Sequence, residues 1–284
     1  MSRKELFRKM RKSKFFVIGG TVMLLLVVLC VLSPLYIVHD PYTSDLSKRL
    51  LAPEYFSKGW SGHILGTDAQ GRDILTRLLI GGRYSLFISV CTVACTAVVG
   101  VTLGIIAGYF GGWVDTLIMR VAEVQSAIPT MVLAIAVISI LGNSTFNLIM
   151  VLVITRWIQY TRMVRGQVMA IRRNEFVSAA KVMGASKGWI MFREIFPNVT
   201  TTMIVQVSMA FGSIILTESS MSFLGLGIPS PAPSWGGMIA DGREYLSLYP
   251  WVVICPGVIL MIAVLGFNFL GDGLRDILDP KNKD

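Results

Sequence analysis

The sequence predicts an all-α integral membrane protein, a bundle of six membrane-spanning helices. Three observations carry this reading. Hydrophobic residues make up 54% of the 284 residues and charged residues only 15%, with a mean hydropathy of +0.65, whereas soluble globular proteins are about 25% charged. Apolar segments recur at 15–38, 85–110, 120–142, 146–162, 199–223 and 251–271, close to the roughly 20 residues a spanning helix needs. Between the fourth and fifth lies a long, mostly polar or basic stretch, 162–197, which lipid crossing alone does not require.

Residues 1–14 form a basic amino terminus with seven Lys or Arg against one Glu. The apolar run 15–38 exceeds the roughly 7–15-residue core of a signal peptide and lacks an A-x-A cleavage pattern. It reads as a retained first helix. Residues 39–84 form a loop rich in Gly, Asp and Arg, and 85–271 a five-helix core with the 162–197 loop inside it. A tail, 272–284, follows.

With six spans both termini and the 162–197 loop fall on one side. About 18 of the 26 Lys and Arg then lie on that side, while about seven lie in the loops 39–84 and 224–250 and are balanced there by acids. The positive-inside rule makes the basic side cytoplasmic. The net charge of +9 is thus an orientation signal and implies no nucleic-acid partner.

Several segments carry more than hydropathy. Gly100, Gly104 and Gly108 recur every four residues, a spacing that lets two helix backbones approach in lipid. Glu123, Gln125 and Ser126 precede Pro129, which should loosen its helix by removing a backbone donor. Arg156 and Glu218 lie in apolar segments, and Gln206 joins them. Ionisable groups at membrane depth are costly and tend to face protein or a water path, so Glu123, Arg156, Gln206 and Glu218 are candidates for a translocation path or gate. The run Pro229-Ser-Pro231-Ala-Pro233 cannot continue a helix and predicts a stiff loop.

Other chemistry is poorly supplied. The four cysteines (Cys30, Cys91, Cys95, Cys255) lie in apolar runs and read as fillers. There are two histidines, His39 and His63, both in one loop, and no metal site is expected. No Gly-x-x-x-x-Gly-Lys-Ser/Thr occurs, so a nucleotide site on this chain is not expected. Catalytic residues are not expected either, because no nucleophile–base set or paired carboxylates stand out.

The 162–197 loop predicts two short helices, about 174–183 and 187–196. Glu175 suits the first turn of the first. Phe176, Ala179, Ala180 and Met183 share a face at helical spacing. Gly184, followed by Ala185, permits the positive φ that ends a helix. Ser186 can cap the second helix, and Pro197 is expected to end it.

Ala179-Ala180, Gly184 and Pro197 stand at the spacing of the cytoplasmic coupling motif of ABC importer permeases, Glu-Ala-Ala, three residues, Gly, then Pro thirteen residues on. Ser178 replaces the first Glu. HILGTDAQGRDILTRLLIGGRYSL (63–86), GYFGGWVDTLIMR (108–120), SFLGLGIPSPAPSWGGMI (222–239) and FNFLGDGLRDILDPK (267–281) resemble the second permease subunit of dipeptide, oligopeptide and nickel importers. The resemblance spans nearly the whole chain. It implies a type I ABC importer permease bundle in a bacterial plasma membrane, with both termini cytoplasmic. Its implied partners are a homologous but non-identical permease, two ABC ATPase subunits that hold ATP and Mg, and an extracytoplasmic solute-binding protein. The implied cargo is a di- or oligopeptide or a related solute, such as a nickel or other metal chelate or glutathione. ATPase coupling is implied for Glu175, Phe176, Ala179, Ala180, Met183, Gly184, Ala185 and Pro197. A stand-alone secondary transporter or channel is the alternative, and it leaves the two-helix loop unexplained. A membrane-embedded enzyme lacks the residues for its chemistry.

Overall fold

The computed structural model describes residues 3–54 and 62–278. Its helices are α1 Arg3–Lys12, α2 Lys14–Leu32, α3 Ile74–Phe110, α4 Gly112–Ser126, α5 Thr130–Leu141, α6 Thr145–Ile171, α7 Glu175–Val182, α8 Lys187–Trp189, α9 Phe196–Phe223, α10 Trp235–Gly242 and α11 Trp251–Leu278. A π-helical turn, Ile190–Ile195, joins α8 to α9. Among the described residues there is no strand beyond one isolated bridge, Thr67 to Asp73.

By length and hydropathy, four described helical runs can span a membrane: Lys14–Leu35, Ile74–Phe110, Lys187–Phe223 and Trp251–Leu278. The pair α4 and α5 makes a fifth if it counts as one span, bent by 91°. The sixth long helix, α6, carries Arg156, Arg162 and Arg165 in its apolar run and falls below that hydropathy. It packs more extensively against α3 than any other pair of helices does.

That interface rests on the glycine stripe. A Cβ on Gly100 would lie 2.5 Å from the Tyr160 Cβ, one on Gly104 2.8 Å from the Thr161 carbonyl oxygen, and one on Gly108 2.7 Å from the Val168 Cβ. The backbones are therefore too close for any side chain there. Thr161 Oγ1 donates to the Gly100 carbonyl at 3.0 Å across the same contact.

One end of the bundle carries a polar cap. Asp73 caps α3, its Oδ2 accepting from Thr76 N at 2.8 Å. Asp68 Oδ1 accepts from the Gln70 and Arg72 amides, and its Oδ2 takes Arg72 Nε at 2.7 Å. Arg77 Nη1 donates to the Pro41 carbonyl at 2.9 Å. Asp68, Arg72 and Arg77 are all buried, which is tolerable because each charge has partners. The fully buried Trp235 of α10 lies on α3, where its Nε1 donates to the Leu78 carbonyl at 3.0 Å.

Several boundaries differ from the sequence reading. The first span is helical over Lys14–Leu35 rather than to 38, and α4 starts at Gly112 rather than 120. Helix α3 starts at Ile74, not 85, because the Asp73 cap and the apolar Ile74, Leu78 and Leu79 start it inside the presumed loop. The segment 120–142 is two helices, since Pro129 breaks the chain outright. Helix α6 runs to Ile171, so the first ten residues of the 162–197 stretch belong to that long helix and not to a loop. The region 224–250 contains α10. Helix α11 runs to Leu278, so the tail begins as helix, and its residues 279–284 lie outside the described ones, as do residues 1 and 2.

Pro197 also behaves differently from the expectation. It does not end the second short helix, because the chain runs on as helix into α9 with Pro197 at the first turn. The π-helical turn explains how. The Phe196 amide bonds back five residues to the Met191 carbonyl, which widens the turn where the proline ring would otherwise clash.

Candidate functional site: the basic knob and the Arg156 cavity

At the end opposite the cap, α7, α8 and the π-helical turn form a small knob. Asn174 starts α7, and Glu175 lies in its first turn. Gly184 takes φ +82°. The Ala185 amide bonds to the Ala180 carbonyl and the Gly184 amide to the Lys181 carbonyl, both at 3.0 Å. These two bonds form a Schellman motif, so Gly184 and Ala185 act together to turn the chain. Ser186 then caps α8, its Oγ accepting from Trp189 N at 3.2 Å.

The knob has two faces. Val177, Ala180, Ile190 and Ile195 are buried with Tyr109 of α3, Val164 and Val168 of α6 and Val199 of α9. Lys181 Nζ lies 5.9 Å from the Tyr109 ring centre and Lys187 Nζ 5.7 Å from that of Phe110. The opposite face is apolar and open: Val182 is 89%, Met183 80% and Phe192 74% exposed, with Phe176 and Trp189 beside them.

The predicted face of Phe176, Ala179, Ala180 and Met183 is therefore split. Phe176, Ala179 and Met183 are exposed, while Ala180 is 3% exposed and points into this chain's own core. Val182, Trp189 and Phe192 were missed. Their signal was present, as large apolar residues in an otherwise polar stretch.

Around the α4–α5 break lies a cavity of about 610 Å³, lined among others by Gln125, Thr155, Arg156, Gln159, Arg162 and Thr217. Arg156 of α6 reaches α9: it donates to Ser213 Oγ at 3.4 Å and to Thr217 Oγ1. Arg162 Nη2 donates to Ser126 Oγ at 3.2 Å. Gln125 bridges, accepting from Trp157 Nε1 at 3.0 Å and donating to the Ile154 carbonyl.

Of the four path candidates only Arg156 lines this cavity. Glu123 is exposed on α4 and pairs with Arg120 at 3.0 Å. Glu218 is fully buried on α9, accepting from Ser222 Oγ at 2.9 Å. Gln206 is half-buried lower on α9.

The cap also brings together His39, His63 and Asp73, with one donor atom from each within 4.8 Å of the others. His39 lies against Gly62 O at 2.8 Å and His63 Nδ1 against Asp73 Oδ1 at 3.0 Å, so one nitrogen of each ring is already engaged.

Residues 100–284 match the family model described as binding-protein-dependent transport system inner membrane component. The chain belongs to that family. Residues 3–53 of the permease match a second model, the N-terminal TM domain of oligopeptide transport permease C. The permease is 39% identical to the dipeptide transport system permease protein DppC of Alkalihalophilus pseudofirmus, over 99% of this chain and 90% of that protein. It is 35% identical to the oligopeptide transport system permease protein OppC of Bacillus subtilis, over 98% and 89%. It is 37% identical to the glutathione transport system permease protein GsiD of Pectobacterium atrosepticum, over 99% and 91%. Its fold is that of an inward-facing MetNI methionine ABC transporter chain, with a TM-score of 0.57 and 17% identity over 71% of this chain and 96% of that one. The permease is thus a multi-pass inner-membrane component of a binding-protein-dependent ABC importer, with the type I permease fold.

Proposed function

We propose that this chain forms one half of the pore of an importer for di- or oligopeptides or a related small solute such as glutathione or a metal chelate, and that it is driven through the knob. A homologous, non-identical permease supplies the other half. Two ATPase subunits, which hold ATP and Mg, bind from the cytoplasm, where both termini lie, and one of them takes the knob of this chain. A solute-binding protein delivers cargo to the cap.

The observation that carries this reading is the two-faced knob. An exposed cluster of large apolar side chains on a polar protrusion marks a partner surface. Its inner face is close-packed against the ends of α3, α6 and α9, and close-packed interiors transmit displacement rather than absorb it. Pushing the knob therefore moves three helices as a body, which is the requirement for alternating access. Chemistry on this chain is not needed.

The test is purification of the chain from membranes in which its genomic neighbours are co-expressed. A stoichiometric ATPase and ATP-dependent uptake into proteoliposomes are expected. Uptake by the chain alone, with no ATPase bound, would establish the stand-alone transporter instead.

A further inference from the structure

The cavity at the α4–α5 break has an uneven charge. Two guanidiniums, Arg156 and Arg162, line it, and among the described residues no Asp or Glu does. Their described partners are neutral: the hydroxyls of Ser213, Thr217 and Ser126 and the Ser213 carbonyl. Arg156 Nε is buried and makes no hydrogen bond among the described residues. Two neighbouring arginines are matched differently, since Arg165 has Asp115 and Arg120 has Glu123. A charge held at membrane depth without a counter-charge is costly and marks a pathway or ligand site.

The break adds a second positive element. Helix α5 begins at Thr130 without a side-chain cap, and Thr130 and Met131 line the same cavity. Its free amides contribute positive potential there, as the half-helices of other transporters do for anionic groups. Gln125, Thr155 and Gln159 supply neutral hydrogen-bonding groups around the arginines. A planar carboxylate fits the guanidinium fork of an arginine such as Arg156 in a way it does not fit the point charge of a lysine.

We infer that this cavity receives the carboxylate end of the cargo as it passes the pore, with Arg156 as the principal contact and Arg162 as the second. The inference rests on the reading of the chain as a pore subunit and names the chemistry of its cargo.

The test uses the whole complex in nanodiscs without nucleotide, carrying Gln159→Cys, with labelling of the parent protein subtracted. Labelling rates are measured with an anionic sulfonatoethyl and a cationic trimethylammonioethyl thiosulfonate, each relative to its rate with a free thiol. The anionic reagent is expected to be favoured on the order of tenfold, as a cleft of one sign concentrates its counter-ion. Adding Arg156→Gln and Arg162→Gln should abolish that preference, while Arg156→Lys should keep much of it. Alanyl-alanine should slow labelling, and its C-terminal amide should not. Equal rates for the two reagents, a preference that survives loss of both arginines, or protection by both peptides or by neither overturns the inference. Labelling by neither reagent in an assembled complex removes this face from the pore wall, and the pore reading then fails first.

Discussion

Arg165 of α6 grips Asp115 of α4 with both prongs of its guanidinium, Nε to Oδ1 and Nη2 to Oδ2, the latter at 2.6 Å. Seven residues on, and so on nearly the same helix face, Arg172 Nη1 donates to the Gly108 and Tyr109 carbonyls at 3.1 and 2.9 Å. One helix thus fixes both sides of the α3–α4 corner. The corner sets where α4 starts, and α4 sets where the bend and its cavity fall.

Asp115→Asn keeps the shape and removes the charge. Hydrogen bonds to charged groups contribute about 1.5–3 kcal/mol, and the pair is partly exposed, so a loss of about 1–2 kcal/mol is expected. Thermal unfolding in detergent should register it. The exchanged pair Asp115→Arg with Arg165→Asp should recover part of the loss, and a double variant no better than either single would deny the two residues their coupling.

Gly104 faces α6 with no room to spare. Gly104→Leu should cost about 1–3 kcal/mol by overpacking, and Gly104→Ala less. The measurement is the melting midpoint of each variant. A Leu variant as stable as the parent would mean that α3 and α6 are looser than described.

Among the described residues Trp235 is the largest fully buried side chain. Trp235→Ala should cost about 3–5 kcal/mol, the range for deleting a buried aromatic. Trp235→Phe keeps most of the volume and loses the bond to Leu78, so about 0.5–1.5 kcal/mol is expected. If both variants unfold alike in denaturant, the hydrogen bond rather than the volume holds α10 to α3.

The cap carries a pH signature. The Thr43 hydroxyl at 2.6 Å and the Tyr42 amide hold the Asp40 carboxyl below its usual range, and the Ser47 hydroxyl does the same for Asp45. Depressed carboxyls stabilise the folded turn above the ordinary pKa of about 3.9 and lose that effect as pH falls further. The Tyr42 and Ser47 amides should therefore exchange faster at pH 3 than at pH 6 after correction for the intrinsic rate. Unchanged protection would show that these turns do not depend on ionised carboxyls.

Hydropathy made the long helices legible, because lipid demands long unbroken apolar runs. It did not reveal where polar helices extend them. Asp73 moves the start of α3 eleven residues, and Arg162 and Arg165 hid the last turns of α6, which is held by its contact with α3 rather than by lipid. Pro129 read as a loosening because a single proline is compatible with a kink or a break, and only the packing around it decides. In the knob, Gly184 was legible because a positive φ needs glycine. The inward turn of Ala180 was not, because a helix of eight residues offers an apolar residue either to its own protein or to a partner, and periodicity does not distinguish them.

That ambiguity changes which substitution tests the knob. From periodicity alone Ala180→Trp looks like a block to docking. In the structure Ala180 is packed with Val177 and Ile190, so a tryptophan there has to displace this chain's own core, at about 1–3 kcal/mol or more. Lower yield and a lower melting point are expected, and lost transport would then say nothing about docking. Val182→Asp and Met183→Asp touch the open face only. They should leave the melting point of the isolated chain nearly unchanged and reduce co-purified ATPase at least several-fold, because an unpaired carboxylate buried in an interface costs far more than one in water. If the two aspartates leave ATPase binding intact while Ala180→Trp in a stable protein abolishes it, the docking face is the one assigned here to the core.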